Sequence, residues 1–139
     1  MTEKFKILAK YIKDMSSETP DAETYMYVKD NISRYQLGIN IDSKAMKSRL
    51  IEIDTSIKFY DKEENVKKSI FEFIYTSVVQ VDENLKDKKI LEKIVLVDIP
   101  KEIYPTLYET FVYLFSQAGV KNISIEKEVD FEKMYNEKF

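Results

Sequence analysis

Along residues 34–42, apolar and polar positions alternate. Tyr35, Leu37, Ile39 and Ile41 fall on one side, Gln36, Asn40 and Asp42 on the other. A period of two predicts a half-buried strand. Residues 49–60 repeat it, with Ile51, Ile53, Ile57 and Phe59 opposed to Glu52, Asp54 and Lys58. Residues 61–65 are polar and predict a hairpin connection. Residues 66–81 follow, rich in β-branched and aromatic side chains. The run is too long, and its second half too apolar, for a simple one-sided strand, so both faces are expected to be covered there. An earlier strand is predicted from Phe5 to about Met15. There Ile7, Ala9, Tyr11 and Lys13 alternate with Lys6, Leu8, Lys10 and Ile12, and apolar residues fall on both faces.

Residues 16–22 are small and polar around Pro20 and predict a loop. Residues 82–89 are charged and end the strand pattern. Leu91, Ile94 and Val95 fit a short helical face, although residues 95–97 could equally extend as a strand, and Pro100 is expected to break the chain there. Residues 101–118 carry the clearest helical period, with Ile103, Leu107, Phe111, Leu114 and Phe115 at spacings of three and four. Pro105 lies in the first turns of that helix, and Gly119 supplies a left-handed cap. Asp130 is a candidate N-cap for a short last helix with Phe131, Met134 and Tyr135 on one face. Strands grouped before helices predict an α+β fold, a four-stranded antiparallel sheet followed by two C-terminal helices. The length predicts one domain over residues 1–139.

Composition narrows the chemistry. The chain has no histidine, cysteine or tryptophan. Disulfides, thiolate metal sites, thiol nucleophiles and imidazole-based triads are therefore excluded. Its two glycines, Gly38 and Gly119, are too far apart to write either phosphate-binding glycine motif. Ten Tyr and eight Phe argue against disorder. The formal net charge is -3 with acids and bases interspersed, which does not favour nucleic acid. No apolar run approaches the roughly 20 residues of a membrane span, so no direct membrane insertion is expected. No signal peptide is visible at residues 1–12. A soluble, cytoplasmic protein without cofactor or metal is the expectation.

Three ordered blocks resemble one family. Tyr11-Ile12-Lys13-Asp14-Met15-Ser16-Ser17-Glu18-Thr19-Pro20-Asp21-Ala22 is similar to the signature Y-x-K-D-x-S-F-E-x-P-N-A of the SecB export chaperones. Ile99-Pro100-Lys101-Glu102-Ile103-Tyr104-Pro105 resembles that family's C-P-N-I-L-F-P segment. Val129-Asp130-Phe131-Glu132-Lys133-Met134-Tyr135 resembles its P-V-N-F-D-A-L-F ending. The resemblance implies a homotetramer, a dimer of dimers, that holds unfolded precursor proteins without ATP and passes them to SecA. It implies an acidic SecA-docking face at Asp14, Glu18 and Glu72, with Ile70 beside them. It implies a client groove at Val78, Val79, Phe131, Met134 and Tyr135. Thr76-Ser77 stands where the family has Gly-Gly, and Ser17 where it has Phe.

Each assignment has a plainer competitor. The acids could be ordinary solvated strand positions, and the groove residues could be core or subunit interface. Tyr25 and Tyr27 could add to the groove, though no motif marks them. Tyr104, Tyr108 and Tyr113 are expected off the main stripe of their helix, as rings available to helix contacts between dimers. A SecB-like chaperone that guards a toxin–antitoxin pair, without SecA, is a second reading. A carboxylate enzyme using Glu52 and Asp54 or Glu72 is the third and least favoured; paired acids with raised pKa in a pocket would revive it.

Overall fold

The computed structural model describes residues 4–61, 70–120 and 127–138. The alternating segments form four strands: β1 (Phe5–Glu18), β2 (Tyr35–Ala45), β3 (Leu50–Asp61) and β4 (Ile70–Val81). They make one antiparallel sheet in the order β1-β4-β3-β2. Residues 62–65 of the expected hairpin connection, and 66–69 of the expected strand, lie outside the described residues. The sheet, with helices following it, is the expected α+β arrangement.

The helical part is richer than the sequence pattern suggested. Helix α1 (Ala22–Asp30) stands between β1 and β2, in a segment left without an element. Asp21 caps it, its carboxylate accepting from the Thr24 N–H at 2.7 Å. The strand β1 also continues through Ser16, Ser17 and Glu18, which the small polar residues had marked as loop. Their pairing with Glu72, Phe71 and Ile70 overrides that local preference.

Pro100 does not break the chain. A helical stretch runs from α2 (Lys88–Lys93) through a π-helical turn (Ile94–Asp98) into α3 (Ile99–Gln117). In this turn the Ile99 N–H donates to the Ile94 carbonyl, one residue further back than in an α-helix. A proline has no N–H and crowds the carbonyl four residues before it, so a widened turn lets the helix pass. Residues 95–97 are therefore helical, not strand.

One face of the sheet packs on α3. Phe59, Phe71 and Phe73 meet Phe111 and Phe115, with ring centroids of Phe59–Phe115 at 4.8 Å and Phe71–Phe115 at 4.9 Å. The stripe Ile103, Leu107, Phe111 and Phe115 is fully buried, as its period predicts. Past α3, Gly119 is left-handed (φ 77°), and the Val120 and Gly119 N–H groups close back on Phe115 and Ser116. The Tyr25 hydroxyl donates to the Gly119 carbonyl at 2.6 Å and fastens α1 to this end.

Two irregularities explain why β1 looked apolar on both faces. Leu8 and Lys13 are each an extra residue against β4, between Ile7 and Ala9 and between Ile12 and Asp14. Each bulge shifts the phase of alternation. Phe5, Ile7, Ile12 and Met15 thus share the side that faces the helices on the inner strands. The helical layer sits over β3 and β4, so Leu8, Ile12 and Met15 remain exposed.

Candidate functional site

The groove arises where the crossover from sheet to helix passes the end of β2. Asp87 caps α2, its carboxylate accepting from the Lys89 N–H. This places Leu91, and Val95 and Leu96 of the π-helical turn, opposite Ser43 and Ala45 of β2 and Ile51 of β3. The space between them is about 330 Å³, with Lys88 and Glu92 also on its wall. β2 is an edge strand, so its outer backbone groups have no neighbouring strand among the described residues. An apolar trough beside an open strand edge suits an extended polypeptide.

The expected groove residues are spread around this region. The helix α4 (Phe131–Lys138) is capped by Asp130, which accepts from the Lys133 N–H at 3.0 Å. Phe131 is buried, edge-on to Tyr104 at 5.8 Å, and anchors the helix. Met134 is exposed. Tyr135 is half-buried and bonds to Glu92; burial first, and then that carboxylate, push its hydroxyl pKa up. Glu92 thus links α4 to the groove wall. Val79 lies in the core and Val78 on the opposite face of β4, so the sheet divides that pair.

The expected docking acids fall together. Ser16 pairs with Glu72, Glu18 with Ile70 and Asp14 with Ile74, so Asp14, Glu18 and Glu72 share the sheet face turned away from the helices. Asp14 and Glu18 are exposed and Glu72 is half-buried. Ile70 begins β4 at the same place.

Further along this face is a network that the sequence pattern did not reveal. The Lys13 ammonium, brought out by the second bulge, donates to Asp54 at 2.9 Å and stands 3.6 Å from Glu52. The Thr76 hydroxyl donates to Asp54 at 2.7 Å. Burial acts to raise the Asp54 pKa, but the bonds from Lys13 and Thr76 prevail and hold it below the ordinary carboxylate range. A low pKa favours a fixed anion over a proton donor, contrary to what general acid chemistry needs. Among the described residues, no group of three or more acids could hold a metal ion.

Other expectations shift. Tyr25 and Tyr27 belong to α1: Tyr25 bonds to Gly119, and Tyr27 bonds to Arg34, whose guanidinium lies over its ring at 5.5 Å. Tyr104 is core, not a ring available to partners, because α4 covers it. Tyr113 does project, with Val112 exposed beside it. The groove residues Ser43, Ala45, Leu91 and Leu96 were missed, because contact between β2 and α2 leaves no local period.

The model of the family described as preprotein translocase subunit SecB matches residues 1–139. A putative protein-export protein SecB of Pelagibacter ubique is 49% identical over 138 residues, covering 99% of each chain. The protein-export protein SecB of Anaplasma phagocytophilum is 24% identical, over 97% of this chain and 92% of its own. Among solved structures, a SecB-like chaperone of Mycobacterium tuberculosis, bound to a peptide from an antitoxin, superposes with a TM-score of 0.67 at 11% identity. That likeness covers 91% of this chain and 88% of the other and speaks for the fold. Four antiparallel strands followed by a helical layer, three motif blocks in order and a family match over the whole length agree: the chain belongs to the SecB family.

Proposed function

We propose that this protein is an ATP-independent holdase that keeps unfolded precursor proteins competent for export. The observation that carries the reading is the apolar groove beside the open edge of β2, in a chain of the SecB family. The chemistry needed is burial of client side chains, at roughly 25 cal/mol per Å² of apolar surface. The groove itself is one wall of the client surface. Met134 and Tyr135 extend it, Phe131 and Val79 support it from the core, and Val78 lies on the far side of the sheet. Methionine and tyrosine suit many clients because they give large, adaptable area. No catalytic step, cofactor or metal enters this function.

The protein works as a homotetramer in the cytoplasm, a dimer of dimers, and hands clients to SecA. The exposed edge of β1, with Leu8, Ile12 and Met15, supports one interface. Val112 and Tyr113 on α3 support the helix contact between dimers. Among the described residues no helix is long and apolar enough to cross a membrane. The acids Asp14, Glu18 and Glu72, beside Ile70, form a face on which complementary charge would speed encounter with a basic docking surface. The name of the 49% identical relative favours export over a dedicated toxin–antitoxin partner.

Light scattering of an unfolding client tests the reading. Stoichiometric tetramer without ATP is expected to suppress aggregation, and Leu91→Asp with Leu96→Asp to lose suppression while the far-UV spectrum is kept. No suppression by the wild-type protein would overturn it. A pull-down that returns a small antitoxin and no SecA would move the partner assignment to the second reading.

A further inference from the structure

The two walls of the groove come from different parts of the chain. One is the β2–β3 hairpin, through Ala45 and Ile51; the other is α2 and the π-helical turn, through Leu91 and Leu96. The residues of α2 are half-buried at most. Its far end is fastened to α4, where Glu92 bonds to Tyr135 and Lys93 stands 3.4 Å from Glu132. Its near end follows a connector in which, of residues 83–87, only Leu85 is even half-buried. A segment with so little packing takes its path from the bonds made to its backbone.

Arg49, in the turn between β2 and β3, supplies such bonds. Its guanidinium donates to the carbonyls of Asp82 at 2.7 Å and Leu85 at 2.6 Å, the two ends of a turn that the Leu85 N–H closes on Asp82. The Arg49 carbonyl accepts from the N–H of Val81, the last residue of β4. Two residues after Leu85 stands Asp87, the cap of α2, and the Leu91 N–H donates to the Asp87 carbonyl at 3.1 Å. A rigid fork fixed on Asp82 and Leu85 therefore sets where α2 starts and where Leu91 lies. The backbone at this turn adds a second observation. Ser48 and Arg49 are both left-handed, at φ 62° and 64°, a conformation that favours glycine. Glycine at residue 49 would remove that strain, but only arginine brings the fork.

We propose that Arg49 is a positioning residue for the client groove. By clamping the Asp82–Leu85 turn to the hairpin, it fixes the spacing of the two walls and so sets the affinity for an extended polypeptide. It acts through Leu91 and does not itself line the trough. With the fork removed, α2 is held at its far end alone. A groove that is correctly spaced for only a fraction of the time binds more weakly by that fraction. The effect on clients rests on the holdase reading; the clamp itself is a property of the fold.

Two glycine variants separate the clamp from the turn. Ser48→Gly relieves one left-handed residue and keeps the guanidinium; Arg49→Gly relieves the other and removes it. Hydrogen exchange of the full-length protein is followed by mass spectrometry over residues 86–93 and over β3 and β4. Affinity is read by fluorescence anisotropy, with labelled, reduced and carboxamidomethylated α-lactalbumin as the unfolded client. Arg49→Gly is expected to speed exchange over residues 86–93 about tenfold and to weaken client binding about tenfold, with β3 and β4 at the parent's rate. Ser48→Gly is expected to match the parent in all three. Unchanged exchange over residues 86–93 in Arg49→Gly, equal speeding in β3 and β4, client affinity kept at the parent's value, or an equal loss in Ser48→Gly would overturn the proposal. A parent that binds no client defeats the holdase reading instead, and the exchange contrast then decides the clamp by itself.

Discussion

Replacing Gly119 by alanine isolates two costs that the structure lets one separate. Gly119 has φ 77°, a backbone that costs an L-residue about 1–2 kcal/mol. An added Cβ would also stand 3.0 Å from both Cε1 and the hydroxyl oxygen of Tyr25. The ring can retreat, but its 2.6 Å bond to the Gly119 carbonyl is then lost, at about 1 kcal/mol. Gly119→Ala is therefore expected to destabilise by about 2–3 kcal/mol, read by urea unfolding at fixed protomer concentration. In a Tyr25→Ala background the ring contact is already gone, and the same change should cost only the backbone part. An equal cost in both backgrounds refutes the contact; a cost under about 0.5 kcal/mol in the parent refutes the left-handed cap.

Three further outcomes are expected. Phe111→Ala empties the centre of the aromatic cluster and should cost about 3–5 kcal/mol in the same unfolding experiment. Thr55→Val keeps the β-branched shape and removes a buried hydroxyl without a described partner, so stability should rise by about 1 kcal/mol. Asp54 has a lowered pKa in the folded state, so its contribution is present above the ordinary carboxylate range and fades as pH falls through the folded value. Lys13→Ala should raise the Asp54 pKa in an NMR titration and move acid unfolding to higher pH.

Period alone located three strands and the main helix, because each buries one side against the same layer. What escaped it was decided elsewhere. Ser16 to Glu18 have loop chemistry, yet the long partner β4 recruits them into β1. The bulges at Leu8 and Lys13 spread one apolar side over both parities of β1. Pro100 read as a stop because the rule assumes an α-helical turn, and the widened turn removes the clash. Among site residues, the acids Asp14, Glu18 and Glu72 were placed on one face by family resemblance, which their register matches. The groove was not legible: Ala45 and Leu91 are ordinary small and apolar residues until the crossover brings them together.

The π-helical turn makes helix length an adjustable quantity. It holds one residue more than a regular helix needs, and the surplus lies between a core helix and a groove wall. Losing one residue from Ile94–Asp98 would restore the regular bond pattern while α3 keeps its seat on the sheet. Because the wide turn uses five residues where a regular helix uses four, the segments on both sides would keep their facing and Leu91 would stay at the trough. A single-codon deletion in this turn would thus keep Leu91 and Phe111 in register, whereas one lost from the regular part of α3 between them would set the two out of register by about 100°.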